Sequence, residues 1–278
     1  MLLLVDAGNT RVKWALALEN AAPGEWVSTG AAQHAGPDAA GLEAAGAGWI
    51  AAGVTRAIVS NVAGPGLRAR LSSLLGPIDT EWFASSAARA GLVNGYREPE
   101  RLGCDRFAAA IGARALLPGR ALVVATCGTA TTIDAVDADG RFVGGMILPG
   151  LALMAGALAR NTAQLPQAVL DNTLGGSPPP LFADNTHDAI VSGCLSAQAG
   201  AIERAVASHG QGSAQGVAAC IVSGGAAPYV APALRLAHRM VDNIVLVGLH
   251  AVLLAEAADR GGSGTQRKPG GSSVGDKA

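Results

Sequence analysis

The sequence predicts an α/β protein built from two similar halves. Apolar strands alternate with helical segments along most of the 278 residues, and this order is typical of sheets that are covered by helices. A second observation points to an internal duplication. An apolar strand that runs into a turn of small residues occurs at residues 2–10 and again at 122–130. We therefore expect two α/β halves, each opening with the same hairpin.

The first hairpin turn has the chemistry that a bound phosphate and magnesium need. A strand at residues 2–7 runs into the turn, and a second strand at 12–18 returns from it. The backbone N–H of Gly8 and the side chains of Asn9 and Thr10 can donate to phosphate oxygens, while Asp6 can ligate the metal and Lys13 can balance charge. The alternative is an ordinary hairpin turn that contains asparagine.

The second turn repeats the first in position and size. Gly128 matches Gly8, and Thr126 matches Asp6. We expect the two turns to close on one phosphate chain from opposite sides. A chance repeat is the alternative, because short Val/Leu runs that end in glycine are common.

The other elements follow from apolar spacing and turn residues. We expect a seam between two halves, residues 1–117 and 118–258, followed by a disordered polar tail at 259–278. The expected first-half elements are strands at 26–29, 57–62 and 80–83, helices at 37–52, 67–75 and 105–116, and a loop at 84–103. Those of the second half are an apolar strand running into a turn at 122–130, strands at 132–136, 142–147, 220–223 and 244–247, a helix after 150, a loop at 171–183, and helices at 186–207, 228–238 and 249–258.

Composition narrows the class of protein. The net charge of −1 offers no basic field for nucleic acid, and no apolar run approaches the roughly 18 residues of a membrane span. The N-terminus lacks the basic region of a signal peptide. The four cysteines form no CxxC pair, so we expect reduced thiols in a cytoplasmic protein and no zinc site.

A compact polar group follows the predicted loop, at the start of the helix near residue 105. Asp105 can accept a proton from a substrate hydroxyl, and Arg106 can hold a substrate carboxylate through two hydrogen bonds. The structural alternatives are that Asp105 caps the helix and that Arg106 is solvated in its first turn. Both interpretations stay open at the level of sequence.

Three further features have structural and functional interpretations. Asp134 is expected to be a turn or strand-end residue, or else to reach a metal through water. Thr186, with Asn185, is a candidate helix cap, and its hydroxyl can also contact a ligand. The glycine pair Gly224-Gly225 follows a strand, where the backbone can approach a nucleotide closely.

Taken in order, these motifs resemble the type III pantothenate kinases, also called the Bvg accessory factor family. The resemblance extends from Leu3 to about Leu254. The segments that carry it are Asp6-Ala7-Gly8-Asn9-Thr10 with Lys13, Tyr96, Gly103-Cys104-Asp105-Arg106, Gly128-Thr129-Ala130-Thr131-Thr132-Ile133-Asp134, Gly144-Gly145-Met146-Ile147-Leu148-Pro149-Gly150, Thr162-Ala163-Gln164-Leu165-Pro166 and Asn185-Thr186.

The resemblance implies a fold, a reaction and a set of roles. The fold is the duplicated actin-like ATPase fold of acetate and sugar kinases, Hsp70 and actin, in a homodimer with substrate sites near its interface. The reaction is ATP-dependent phosphorylation of pantothenate, the first step towards coenzyme A, with Asp105 as proton acceptor. Pantothenate would contact Tyr96, Gly103, Cys104, Arg106 and Thr186. ATP phosphates and magnesium would be held by Asp6, Ala7, Gly8, Asn9, Thr10, Arg11, Val12 and Lys13, with Thr129 also touching ATP.

One position departs from the family. Relatives usually carry aspartate where this chain has Thr126, and that aspartate holds a monovalent cation. A neutral hydroxyl is a poorer ligand for potassium or ammonium, so we expect this chain either to lack activation by such ions or to hold the ion differently.

Two other functions remain open from the sequence. A phosphatase or exopolyphosphatase could use the same scaffold, with water replacing the alcohol. A nucleotide-binding regulatory protein without catalysis is the other, and the intact Asp105-Arg106 pair argues against it.

Overall fold

The computed structural model describes residues 1–34, 40–161, 178–210 and 217–262, and these residues form two sheets with helices on their faces. The strands are β1 (Leu2–Ala7), β2 (Arg11–Ala17), β3 (Ser28–Gln33), β4 (Arg56–Asn61), β5 (Asp79–Phe83), β6 (Ala88–Arg89), β7 (Leu92–Asn94), β8 (Leu122–Cys127), β9 (Ala130–Val136), β10 (Arg141–Pro149), β11 (Ala219–Ser223) and β12 (His238–Met240). The helices are α1 (Ala40–Ala51), α2 (Pro65–Leu75), α3 (Cys104–Leu116), α4 (Leu151–Asn161), α5 (Thr186–Gly210), α6 (Ala227–Val230) and α7 (Ile244–Gly262).

The two sheets share one strand topology. The first has the order β3-β2-β1-β4-β5, and the second contains β10-β9-β8-β11-β12, which is the same order for its own strands. In both, the first strand is antiparallel to the second and parallel to the fourth. A chance repeat of one hairpin would not reproduce a whole sheet, so the predicted duplication is confirmed.

The layers follow from side-chain alternation along buried strands. Leu2 and Leu4 face a central layer formed by α3 and α7, whereas Leu3 and Val5 face α1 and α2 on the outside. The second sheet likewise turns Leu122 and Val124 to the central layer and Val123 and Ala125 to α4 and α5. Helices α3 and α7 are therefore packed between the two sheets.

Glycines allow α3 and α7 to cross with their backbones in contact. A Cβ atom built on Gly248 would lie 1.8 Å from the carbonyl oxygen of Ala108. One built on Gly112 would lie 2.7 Å from the backbone nitrogen of Gly248. No side chain fits at either position, so the direct contact between the backbones of α3 and α7 sets the separation of the two sheets.

Two of the predicted elements near the C-terminus are wrong. The expected helix at 228–238 is the short α6 followed by β12, and the expected strand at 244–247 is the first turn of α7. A short apolar run cannot distinguish a buried strand from a buried helix. Helix α7 is apolar on most sides because it lies between two sheets, so it lacks the polar stripe of a surface helix.

The seam between the halves is less simple than the sequence predicts. The expected loop at 84–103 contains β6 and β7, and β7 joins the second sheet by pairing with β10. Helix α7 packs against β1 of the first sheet.

The third strand begins at Ser28, two residues later than expected, and α7 extends to Gly262, past the predicted start of the tail. Residues 263–278 and the segment 162–166 lie outside the described residues.

Two expectations from composition can be compared with the structure. All four cysteines are unpaired. None of the helices in the described ranges is long and apolar enough to cross a membrane.

The helix crossing gives a stability prediction. Gly248→Ala should lower the free energy of unfolding by several kcal/mol, about 3 or more, because the new methyl group overlaps backbone that cannot move away. The control is Gly200→Ala in α5, where a Cβ meets nothing within 4 Å and helix propensity favours alanine by about 1 kcal/mol. Thermal unfolding of both variants measures the difference. A Gly248→Ala variant as stable as Gly200→Ala would contradict the close crossing.

Candidate active site

The two duplicated turns meet across the cleft between the halves. The Oγ1 atoms of Thr10 and Thr129 are hydrogen-bonded at 3.0 Å, although the residues are 119 positions apart. The N–H of Gly8 closes the first turn on the carbonyl of Arg11 at 3.1 Å, and that of Gly128 closes the second on Ala130 at 3.0 Å. The expectation that the bends face one another is confirmed.

Asp6 and Thr126 occupy equivalent positions in the two sheets. Asp6 lies opposite Lys13 on β2 and beside Ser60 on the parallel strand β4. Thr126 lies opposite a threonine of β9 and beside Ser223 on β11 in the same way. Strand alternation turns both residues towards the central layer. The first half thus presents a carboxylate and an ammonium group where the second presents only hydroxyls.

The start of α3 brings Asp105 to the same end of the central layer. Gly103 is the N-cap, and Asp105 is the second residue of the helix, so the prediction that Asp105 caps the helix is wrong. Its carboxylate accepts the N–H of Arg106 at 2.8 Å. A Cβ on Gly103 would lie 2.7 Å from that carboxylate. The adjacent Cys104 hydrogen-bonds Ser60 at 3.3 Å, which fastens the helix start beside Asp6.

Asp6 and Asp105 form an electrostatically strained pair. Burial and repulsion from Asp105 together raise the pKa of Asp6 from 3.8 to about 7, although the charge of Lys13 lowers it. Burial also raises the pKa of Asp105, against the lowering effects of the Arg106 N–H and charge. Two carboxylates in a partly dry cleft favour a bound cation.

Arg106 is buried and paired, which rules out the alternative of a solvated side chain. Its Nε donates to Asp134 at 3.0 Å, its Nη2 also donates to Asp134, and its Nη1 donates to the hydroxyl of Tyr96 at 2.8 Å. Burial raises the pKa of Asp134 to about 6 despite the lowering effect of Arg106. Asp134 is thus a buried residue in the middle of β9 rather than a turn or strand-end residue.

Gly145 makes room for this ion pair. A Cβ on Gly145 would lie 2.0 Å from Oδ1 of Asp134 and 2.6 Å from Nη2 of Arg106. The rings of Tyr96 and Phe142 lie 5.7 and 5.8 Å from the guanidinium carbon of Arg106. The pair therefore ties α3 to the second sheet in a fixed geometry.

Thr186 is not brought together with the other candidate residues. It is the first residue of α5, and the cap is Asn185, whose Oδ1 accepts the N–H of Asp188 at 3.0 Å. Thr186 lines a cavity of about 650 Å³ between α4 and α5, with Pro149, Leu158 and other residues of those two helices. Both helices cover the outer face of the second sheet, whereas Asp105 lies on its inner side.

The glycine pair after β11 does approach the second turn. Gly224 has a φ of +97°, and a Cβ there would lie 2.3 Å from the carbonyl oxygen of Cys127. That carbonyl accepts the N–H of Ala226 at 2.9 Å. This close contact makes Gly224 part of the support of the second turn, and the predicted approach of Gly224-Gly225 to a nucleotide stays a prediction.

Two residues near the first turn were missed from the sequence. Ser60 is fully buried beside Asp6, and the only signal was the polar end of an otherwise apolar strand. His34 contacts the backbone of the turn, with Nε2 2.9 Å from the carbonyl of Asn9 and 3.2 Å from that of Gly8. A lone histidine gave no signal, because its contact depends on how β3 lies beside β2.

The donor set at this end of the cleft suits a divalent cation that is shared with phosphate. Within the described ranges, no group of three or more His, Cys, Asp or Glu side chains could hold a metal alone. Magnesium commonly takes one or two carboxylates, with substrate phosphates and water completing its shell. Asp6, with Asp105 nearby, offers that donor set.

The comparisons with known proteins agree with this geometry. The family model for type III pantothenate kinase matches residues 2–208. The type III pantothenate kinase of Herminiimonas arsenicoxydans is 56% identical over 261 residues, which cover 91% of this chain and 98% of that protein. The residues matched by the family model include both turns and the start of α3.

Solved structures show the fold. A Baf family protein from Campylobacter jejuni has a TM-score of 0.56 at 17% identity and covers 92% of this chain and 99% of its own. The activator of 2-hydroxyisocaproyl-CoA dehydratase from Clostridium difficile, solved with ADPNP, has a TM-score of 0.52 at 11% identity, with 97% and 99% covered. The fold is that of actin-like ATPases and sugar kinases. With the family model, the close relative and the duplicated fold in agreement, this chain belongs to the type III pantothenate kinase family.

Proposed function

We propose that the protein transfers the γ-phosphoryl group of ATP to the hydroxyl of pantothenate, giving 4′-phosphopantothenate, the first step of coenzyme A biosynthesis. The observation that carries the proposal is that the two turns meet through Thr10 and Thr129, while α3 brings Asp105 close enough to Asp6 to raise its pKa. Phosphoryl transfer depends mainly on alignment and charge neutralisation, and this arrangement offers both. We place the enzyme in the cytoplasm.

The first turn is the phosphate-binding element of this proposal. Residues 6–13 hold the triphosphate through backbone N–H groups, the Thr10 hydroxyl and the Lys13 ammonium group, and Thr129 contacts ATP from the other half. Asp6 would hold magnesium, which supplies neutralisation of phosphate charge. With a pKa near 7, Asp6 gives up its proton readily when a cation arrives.

The acceptor side is organised by Asp105 and Arg106. A raised pKa makes Asp105 a stronger proton acceptor than an ordinary aspartate, which suits removal of the hydroxyl proton. Arg106 has five N–H donors, and its contacts with Asp134 and Tyr96 leave one on each terminal nitrogen. We propose that these two hold the pantothenate carboxylate, with Tyr96, Gly103 and Cys104 lining the rest of its site.

Thr126 bears on the monovalent cation. Its neighbours across the ladders are a threonine and Ser223, so the position offers neutral hydroxyls and no carboxylate from these strands. Potassium and ammonium lose hydration on binding and gain little from neutral ligands here. We propose that the enzyme needs neither ion at this position.

The oligomeric state is proposed from an exposed apolar surface. Val143, Met146 and Ile147 on β10 and Leu153 and Leu158 on α4 are all exposed, with Ile147 65% accessible. Several large exposed apolar side chains on neighbouring elements commonly mark a protein interface. We propose a homodimer through this surface, in which Thr186 reaches the pantothenate of the partner subunit, because its own Asp105 lies on the other face of the second sheet.

The direct test is an assay of ADP release with magnesium, with and without pantothenate, in potassium and in sodium buffers. We expect release only with pantothenate and equal rates in the two buffers. ATP hydrolysis at the same rate with and without pantothenate would favour a phosphatase. ATP binding without any turnover would favour a regulatory protein. A requirement for potassium would contradict only the proposal about Thr126 and would leave the proposed reaction unaffected.

Asp105→Asn should lower kcat by about 10²- to 10⁴-fold, since a positioned base contributes on this order. The KM for ATP should change little, because Asp105 serves the acceptor. The surface variant Asp79→Asn is the control, and both should unfold near the wild-type temperature. Steady-state kinetics measure this. Near-normal turnover of Asp105→Asn would show that Asp105 is not the base.

Asp6→Asn should abolish most activity and yet stabilise the protein without ligands. The folded-state pKa is raised from 3.8 to about 7, so stability falls as the pH rises from about 4 to 7, where the unfolded chain ionises Asp6 and the folded chain does not, and the loss is complete above pH 7. In EDTA at pH 8 the variant should gain about 1–4 kcal/mol in the free energy of unfolding, and the gain should shrink as the pH falls. Chemical denaturation at several pH values measures this. A variant less stable than wild type at pH 8 would show that the Asp6 charge is satisfied without a cation.

Mixed dimers test the role of Thr186 across the interface. Asp105→Asn and Thr186→Ala homodimers should each be weakly active. Unfolded and refolded together in equal amounts, they should recover about a quarter of wild-type activity, because half of the dimers are mixed and each has one intact site. No recovery would place Thr186 in the site of its own chain or outside the site.

A further inference from the structure

We infer that His34 is a positioning residue that aims the backbone donors of the first turn at the triphosphate. This inference rests on the proposed role of residues 6–13 in binding ATP. His34 follows β3, an edge strand of the first sheet, and its imidazole reaches the turn between β1 and β2 from the side.

The contact fixes which ring nitrogen carries the proton. Nε2 lies 2.9 Å from the carbonyl oxygen of Asn9 and 3.2 Å from that of Gly8. A carbonyl oxygen can only accept a hydrogen bond. Nε2 of His34 therefore donates, and a single N–H is shared between two successive carbonyls of the turn.

Peptide geometry converts this contact into an orientation of donors. In a planar trans peptide the C=O and the N–H point in opposite directions. The carbonyl of Gly8 belongs to the same peptide unit as the N–H of Asn9, and the carbonyl of Asn9 to the same unit as the N–H of Thr10. Holding both carbonyls on His34 turns both N–H groups away from it.

These N–H groups are placed to serve a ligand. Among the described residues, no intramolecular hydrogen bond is recorded for the N–H of Asn9 or Thr10. The Thr10 side chain, on the same stretch of the turn, meets Thr129 of the other half. Successive backbone N–H groups that point one way form an anion site, and here that site belongs to the turn assigned to the triphosphate.

His34 is itself held by the helices of the first half. Its backbone carbonyl accepts a hydrogen bond from Nη1 of Arg70 at 2.8 Å, and Nε of Arg70 donates to Glu43 at 2.8 Å. Arg70 lies on α2 and Glu43 on α1. Because ordered elements hold the backbone of His34, its imidazole starts from a fixed position and can hold the turn before ATP arrives, and a preorganised turn binds with a smaller entropic penalty.

The test compares a variant without a donor with one that keeps it. His34→Leu removes the N–H at similar size, whereas His34→Gln keeps an amide N–H within reach of the turn. We expect His34→Leu to raise the KM for ATP about tenfold, with the KM for pantothenate within twofold of wild type and His34→Gln close to wild type. His209→Leu is the control, since His209 also donates to a backbone carbonyl, that of Val136 at 2.9 Å, but away from the turn.

A merely structural histidine would give a different pattern. An unchanged KM for ATP in His34→Leu, an equal rise in both KM values, or a glutamine variant no better than leucine would each overturn the inference. If the leucine variant does not fold, His34→Asn replaces it, because its amide is one bond shorter and falls short of the carbonyls. Calorimetric binding of magnesium with a non-hydrolysable ATP analogue measures the same affinity without turnover.

The same series separates this inference from the proposed function. Lys13→Ala should weaken ATP binding whether or not His34 positions the first turn. If Lys13→Ala weakens it and His34→Leu does not, only the role of His34 fails. If neither variant changes ATP binding, the first turn is not the triphosphate site and both fail.

Discussion

The crossing of α3 and α7 is the constraint on which the rest of the structure depends. These helices are the only described layer between the two sheets, and Gly112 and Gly248 let their backbones touch. A larger residue at either position would push the sheets apart. At the present separation Thr10 of one half reaches Thr129 of the other, so a packing detail in the core sets the width of the cleft where the chemistry is proposed.

The cleft contains two carboxyl groups whose negative charge the folded chain does not fully compensate. Burial raises the pKa of both Asp6 and Asp105, the charge of Asp105 raises that of Asp6 as well, and Lys13 offsets only part of the shift at Asp6. A structure selected for stability alone would replace such a pair, whereas binding sites commonly keep groups that a ligand later satisfies. The Arg106–Asp134 pair differs, because it is satisfied internally by several hydrogen bonds and serves as a rigid support. The end of the cleft thus combines an uncompensated carboxylate pair with a neutralised ion pair.

The sequence predicted those parts of the site that depend on local pattern. The two hairpins, their matching turns and the polar group at the start of α3 are each contained in a few neighbouring residues, and all appear in the structure. Thr126 could be matched with Asp6 because strands of equal length lead into both turns. The duplicated fold followed from the same repeat.

What the sequence could not predict depends on packing between distant elements. Asp134 is isolated in its strand, and nothing local shows that Arg106, 28 residues earlier, lies against it. His34 gains its contact only because β3 lies beside β2. Residues 244–247 have the composition of a strand and form a helix because the space between two sheets is apolar on both sides.

The account's central claim is that the two turns bind one triphosphate between them while Asp105 accepts the proton of the acceptor hydroxyl. A crystal structure with magnesium, a non-hydrolysable ATP analogue and pantothenate tests it most directly. The account predicts the γ-phosphate between Thr10 and Thr129, with the pantothenate hydroxyl within about 3 Å of Asp105 and in line with that phosphate. A triphosphate bound away from either turn, or a hydroxyl beyond the reach of Asp105, would contradict it.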